Sequence, residues 1–280
     1  MINPVLKKEI KTKMRTWKTP ALITLYLMIL SFFMFFAFIE AVNGNIYRGF
    51  RPQFLKETYI IITIIQLILI TFIVPATTAS SISGEKQRKT FDILLCTRLS
   101  SLSIVVGKLA ASLVQLFLLL LVSLPVLSIL FLFGGISPGN ILALFGFFVV
   151  TSILFGSIGL FTSAYFRKVA TSTIVSYLIA LFLVLGTIIL TVFFYEVFDV
   201  NYNSETIFNI LLYSNPFSGL SSILSYQLGN KMLMLGSLLG NPTKSVLMPL
   251  YINIVFDIVI SVLLIMFTSL KINPLSRINK

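Results

Sequence analysis

The stretch ILALFGFFVVTSILFGSIGLFTSAYF, residues 141–166, is followed by RKVA at 167–170 and TSTIVSYLIALFLVLGTIILTVFFYEVF at 171–198. Neither apolar run meets a charge before Glu196, and each exceeds the roughly 20 residues that cross a hydrocarbon core as a helix. In lipid the N–H and C=O groups of such a run are satisfied only within a helix, or in a closed barrel whose strands are shorter and alternate in polarity. Two helices joined by a short basic link are therefore expected here.

The same kind of run recurs at Pro20–Ile39, Tyr59–Ala79, Ile104–Phe133 and Val246–Leu270, giving six spans. The composition agrees: 57% of residues are hydrophobic and 11% charged, where a soluble surface needs roughly 25% charged residues. Six spans and their links consume most of 280 residues, so the chain reads as one transmembrane domain, 1–280, without a separate soluble catalytic unit. Pro75 and Pro125 fall inside spans and are expected to kink them. The apolar run at Pro20–Ile39 is too long for the core of a cleaved signal peptide, and it reads as a retained first span.

Charge fixes the expected orientation. With both termini in the cytoplasm, the segments 1–19, 80–103, 167–170 and 271–280, together with Lys108, hold 16 of the 21 Lys and Arg. Glu40, Glu57, Glu196, Asp199 and Glu205 fall on the outer side, against Glu9, Glu85 and Asp92 inside. Cations retained on the cytoplasmic side match the positive-inside rule. The net charge of +12 is thereby a topological signal, and no nucleic-acid partner is expected.

The arm 1–19 has Leu6, Ile10, Met14 and Trp17 at helical spacing, with Lys7, Lys8, Lys11, Arg15 and Lys18 around them. This is the pattern of an amphipathic helix lying at the lipid interface, although the cations alone also serve to orient the first span. Between spans five and six, the segment 199–245 holds two moderately apolar pieces, Ile207–Tyr213 and Pro216–Leu239. The second carries Asn215 before it and Gln227, Asn230 and Lys231 within it. Re-entrant helices in the outer leaflet fit it better than a seventh span, which would carry the C-terminal cations to the outside.

Chemistry is sparse. There is no His and only Cys96, so disulfides and Cys/His zinc sites are excluded, and no metal is expected. No G-x-x-x-x-G-K-[ST] occurs, so the chain lacks a P-loop of its own. Asp257 is the one ionisable acid in mid-span, with Asn253 a helical turn before it on the same face. They form a candidate intramembrane polar site, functional or structural. The cytoplasmic segment 80–103, SSISGEKQRKTFDILLCTRLSSLS, combines a Gly-Glu turn, the cations Lys86, Arg88 and Lys89, and an apolar stripe of Phe91, Leu94 and Leu95. An exposed stripe of that kind suggests docking onto a partner or the membrane surface.

At these residues the chain resembles the permease subunits of type-2 ABC exporters. The resemblance is carried by the opening NPVLKKEIKTKMRTWKTP, by PATTASSISGEKQRKTFDILLCTRLSSLSIVVGKL at 75–109, and by Asn215-Pro216. Many members of that family have Gly before the Thr of the loop, where this chain has Lys89 before Thr90. The resemblance implies an all-α integral membrane fold of six spans with a cytoplasmic coupling helix. It implies that Glu85 touches the ATPase, with Lys86, Arg88 and Thr90 beside it and Phe91, Leu94 and Leu95 as the apolar seat. Asn215 and Pro216 would belong to an outer gate. It implies no catalysis and no cofactor on this chain, ATP and magnesium being bound by ATPase subunits in trans. A second permease chain, identical or homologous, and membrane lipid complete the expected partners, in the plasma membrane of a bacterium. An ion-coupled secondary transporter is the alternative, but that class shows inverted repeats and paired intramembrane charges, and neither is visible.

Overall fold

A computed structural model describes residues 6, 9, 11–12, 16–43, 52–91, 100–132, 137–198, 211–229 and 246–272. Among them there is no strand, and six helical segments have the length and apolar composition to cross a membrane. The first four are α1 (Lys18–Asn43), α2 (Pro52–Gln87), α3 (Ser101–Leu132) and α4 (Pro138–Tyr165). Span five is composite: α5 (Val169–Leu181), a π turn (Phe182–Gly186) and α6 (Thr187–Phe198). A short helix, α7 (Pro216–Leu228), precedes the last span, α8 (Met248–Ile272).

The apolar pattern located each span, but the helices overrun their apolar runs, α2 by the most, since it begins at Pro52 where the sequence reading placed Tyr59. Helix α2 does not stop at Ala79; it runs on through the Ser-rich stretch to Gln87. The serines there return their hydroxyls to carbonyls of the preceding turn, as Ser81 does to Thr78 and Ser83 to Ala79, so they leave the helix intact. At 1.5 Å per residue, its 36 residues make a rod about 54 Å long, well beyond the hydrocarbon thickness of about 30 Å. Helix α3 likewise begins at Ser101, so only the middle of 80–103 is a connector. Both Pro75 and Pro125 lie inside continuous helices.

Helix α4 is the hub. It packs against α2, α8, α3 and α5, with α2 its most extensive neighbour. The close approach of α2 and α4 depends on Gly159, where a Cβ would lie 1.9 Å from the Thr78 hydroxyl and 3.2 Å from the Ala79 amide nitrogen. Small residues at such seams let helices meet in lipid, where apolar burial itself supplies little drive. Hydroxyls join the helices beside it: Ser163 Oγ accepts from the amides of Ile82 (2.9 Å) and Ser83 (2.7 Å), and Ser172 Oγ donates to Ala79 O (3.0 Å). The main core gathers Tyr59, Leu67, Val74, Leu120, Phe148, Phe155 and Ile223. Helices α1 and α8 stand at the rim, with Phe32, Phe35 and Phe36 exposed on one and Val255, Val259 and Phe267 on the other.

Candidate functional site

Polar groups gather at the two opposite ends of the bundle. At the first end, the tip of α2, the base of α3 and the N-terminal arm meet at Lys108. This lysine sits on a helix that is otherwise uncharged, and its side chain is 0% exposed. Its ammonium donates to Glu9 Oε1 and Ser81 O, each at 3.0 Å, and forms an ion pair with Glu85 Oε1 at 2.8 Å. A buried ammonium is tolerated only when so fully paired. Of the arm's described positions, Leu6, Glu9, Lys11 and Thr12 are helical, while Trp17 is 84% exposed in the turn leading to α1. Ile10, Met14, Lys7, Lys8 and Arg15 lie outside the described residues.

The C-terminus of α2 ends in a Schellman turn. The Thr90 amide donates to Glu85 O at 3.0 Å and the Lys89 amide to Lys86 O at 3.2 Å, which satisfies carbonyls the helix end would otherwise orphan. That closure places Lys89 at φ 57°, the left-handed conformation that glycine adopts without penalty. The physical reason for a glycine before the Thr is therefore visible here, and this chain forms the same turn with a lysine. Thr90 Oγ1 also donates to Glu85 O, at 3.3 Å.

The sequence-derived residues separate at this end. Glu85, Lys86, Thr90 and Phe91 come together, but each is engaged within the chain. Glu85 is held by Lys108. Lys86 donates to Ala164 O at the end of α4 and lies 5.7 Å over the Phe91 ring. Phe91, expected as part of an exposed apolar stripe, is instead buried among Ile82, Val105, Leu109, Leu160, Ala164 and Ile272. The correction has a plain cause: the turn at 88–90 folds the chain back over the bundle, where an aromatic ring covers the helix ends. Arg88 and Lys89 are exposed. Leu94 and Leu95 lie outside the described residues. Sequence reasoning used Lys108 and Glu9 only to fix orientation. The signal available was a lone lysine within an apolar helix, which requires a counter-charge.

At the opposite end, α7 is fastened at both its ends. Asn215 is its N-cap, with Oδ1 accepting from the Phe217 amide at 2.8 Å, and Pro216 fills the first helical position, where its missing N–H costs nothing. The Asn215 amide group also donates to Val184 O at 2.6 Å and to Thr187 Oγ1 at 2.7 Å. Those acceptors lie in and just after the π turn of span five. A π turn departs from the regular α-ladder, and here one of its carbonyls accepts from Asn215. At the other end of α7, Tyr59 Oη donates to Gln227 Oε1 at 2.7 Å, and Gln227 Nε2 donates to Asn140 O at 2.9 Å. With 13 residues, α7 is about 20 Å long, too short to cross the membrane. Asn230 and Lys231 lie outside the described residues.

Asn253 and Asp257 are both 0% exposed on α8. Asn253 Nδ2 donates to Tyr213 O at 3.1 Å. Gly219 of α7 faces it so closely that a Cβ there would lie 2.6 Å from Asn253 Oδ1.

Among the described residues, no group of three or more Asp, Glu, Cys or His could hold a metal ion. What these features define is a multi-pass helical membrane protein with polar fastenings at each end of an apolar bundle. The family model described as ABC-2 family transporter protein matches residues 43–270, and the chain belongs to that family. It is thus a membrane permease of an ABC transporter. No curated protein matches the chain.

Proposed function

We propose that the chain forms the translocation pathway of an ABC exporter, beside a second permease chain and driven by separate ATPase subunits. The Lys108 end faces the cytoplasm of a bacterial cell, and the α7 end faces out. The observation that carries the reading is the Lys108 node in a chain of this family. One buried ammonium ties the N-terminal arm, the tip of α2 and the base of α3, so a partner that moves one of them moves all three.

In this reading, residues 92–99 seat in the ATPase through Leu94 and Leu95, with Arg88 and Lys89 as exposed cationic contacts. Glu85 transmits through Lys108 rather than touching the ATPase, and Phe91 holds the seat to the bundle from inside. The segment around α7 is a re-entrant outer gate, with Asn215 and Pro216 at its hinge. ATP and magnesium bind the ATPase alone. Coupling requires contacts that differ between two states, and the links from node to α2 and from α7 to span five supply them at the two ends.

The test is ATP hydrolysis by the reconstituted complex in lipid. Glu85→Gln should preserve assembly and lower hydrolysis and transport together, while the pair Leu94→Ala and Leu95→Ala should weaken co-purification of the ATPase. If both variants keep wild-type hydrolysis and partner retention, the coupling assignment is wrong.

A further inference from the structure

We infer that Asn253 and Asp257 form a buried site for one univalent positive charge, inside the bundle and away from the coupling end. The observation is an excess of acceptors. Both carboxylate oxygens of Asp257 and Oδ1 of Asn253 are buried and have no hydrogen-bond partner among the described residues. The Asn253 amide is oriented by its donation to Tyr213 O, which leaves its oxygen as the free atom. The two residues are one helical turn apart, so the three acceptors share a face of α8.

Three unpaired acceptors with no donor are costly in an apolar interior, and a bare carboxylate costs more still. One univalent cation removes most of that cost. A proton makes the carboxyl a donor toward Asn253 Oδ1, and an alkali-metal ion is ligated by the same oxygens. The helices packed on α8 are α4, α7 and α3. Their titratable groups are Tyr165, Tyr226 and Lys108 respectively, with Tyr213 just ahead of α7. Lys108 is committed to Glu85 and Glu9, so none of these elements brings Asp257 a free cationic side chain. Gly219 keeps α7 against Asn253, and Tyr213 leads into α7, so occupancy of the site bears directly on how α7 sits. The inference stands apart from ATPase coupling, and its failure would leave the coupling assignment untouched.

The experiment uses the full chain in lipid nanodiscs, with two readouts on wild type and Asp257→Asn. The first is the unfolding midpoint in sodium, potassium or choline chloride at fixed ionic strength. A saturable rise of several degrees in sodium or potassium, lost in Asp257→Asn, identifies an alkali-metal ion, since a ligand bound only by the folded state raises Tm. The second is the infrared carboxylic-acid carbonyl band at neutral pH. A band missing from Asp257→Asn, without alkali dependence, identifies a proton. If Asp257→Asn fails to accumulate, Asp257→Glu replaces it, and a displaced band or altered ion dependence makes the same assignment. Absence of both signals in wild type overturns the inference.

Discussion

At the scale of single residues, three side chains carry more than their sequence context suggests. Lys89 holds a left-handed backbone that costs a non-glycine residue roughly 1 kcal/mol. Lys89→Gly should therefore raise stability by about 0.5–1 kcal/mol, read as a higher unfolding temperature with α2 unchanged. Gly159→Ala should do the reverse, because its methyl would meet Thr78 and the α2 backbone. Overpacking of this kind costs about 1–3 kcal/mol, and thermal unfolding in detergent measures it. Lys108→Met leaves the half-buried carboxylates of Glu9 and Glu85 without their cation, a loss of about 1–3 kcal/mol. Adding Glu85→Gln to Lys108→Met should return part of that loss, a non-additivity that a double-mutant cycle in thermal unfolding reads directly.

At the scale of elements, the legible and the illegible divide cleanly. Spans were readable because length and apolarity act locally: nothing but a membrane helix accommodates 141–166. The π turn at Phe182–Gly186 was not readable, since its stabilising partner, Asn215, lies about thirty residues on and enters only when α7 docks. The Lys108 node hid for the same reason, with Glu9 99 positions away. Phe91 was misplaced because an apolar stripe looks the same in sequence whether it covers a partner or its own bundle. The π turn gives a sharp test. Asn215→Asp keeps an N-cap acceptor for Phe217 but cannot donate to Val184 O or Thr187 Oγ1. If donation to span five holds α7, this variant should lose about 1–3 kcal/mol and show raised hydrogen exchange across 182–187. If only capping matters, it should match wild type.

At the scale of the whole molecule, the bundle is a hub helix, α4, ringed by partners, with α1 and α8 at the lipid-facing rim. Exposed rings such as Phe32 and Phe35 exchange one apolar neighbour for another, so Phe35→Leu should change stability by less than about 0.5 kcal/mol. Phe155→Ala, in the core beside α2, should cost several times more through the cavity it leaves. Orientation is tested in a Cys96→Ser background, with single cysteines at Tyr226 and Lys89, both exposed. A membrane-impermeant thiol reagent should label Tyr226→Cys in intact cells and Lys89→Cys only after permeabilisation. The reverse pattern would invert the proposed topology.

The length of α2 has a mechanical corollary. From Tyr59, bonded to Gln227 of α7, to Glu85, bonded to Lys108, the helix spans about 39 Å. It is a lever arm pinned near each tip to a different polar fastening. Rotating it by about 5° about the Tyr59 end sweeps the Glu85 end through roughly 3 Å, enough to exchange one hydrogen-bonding partner for another. Pro75, set between the pins, removes one backbone bond from that arm and gives it a place to flex. In the proposed exporter, a stroke applied at one face of the membrane would be delivered at the other by a single piece of secondary structure.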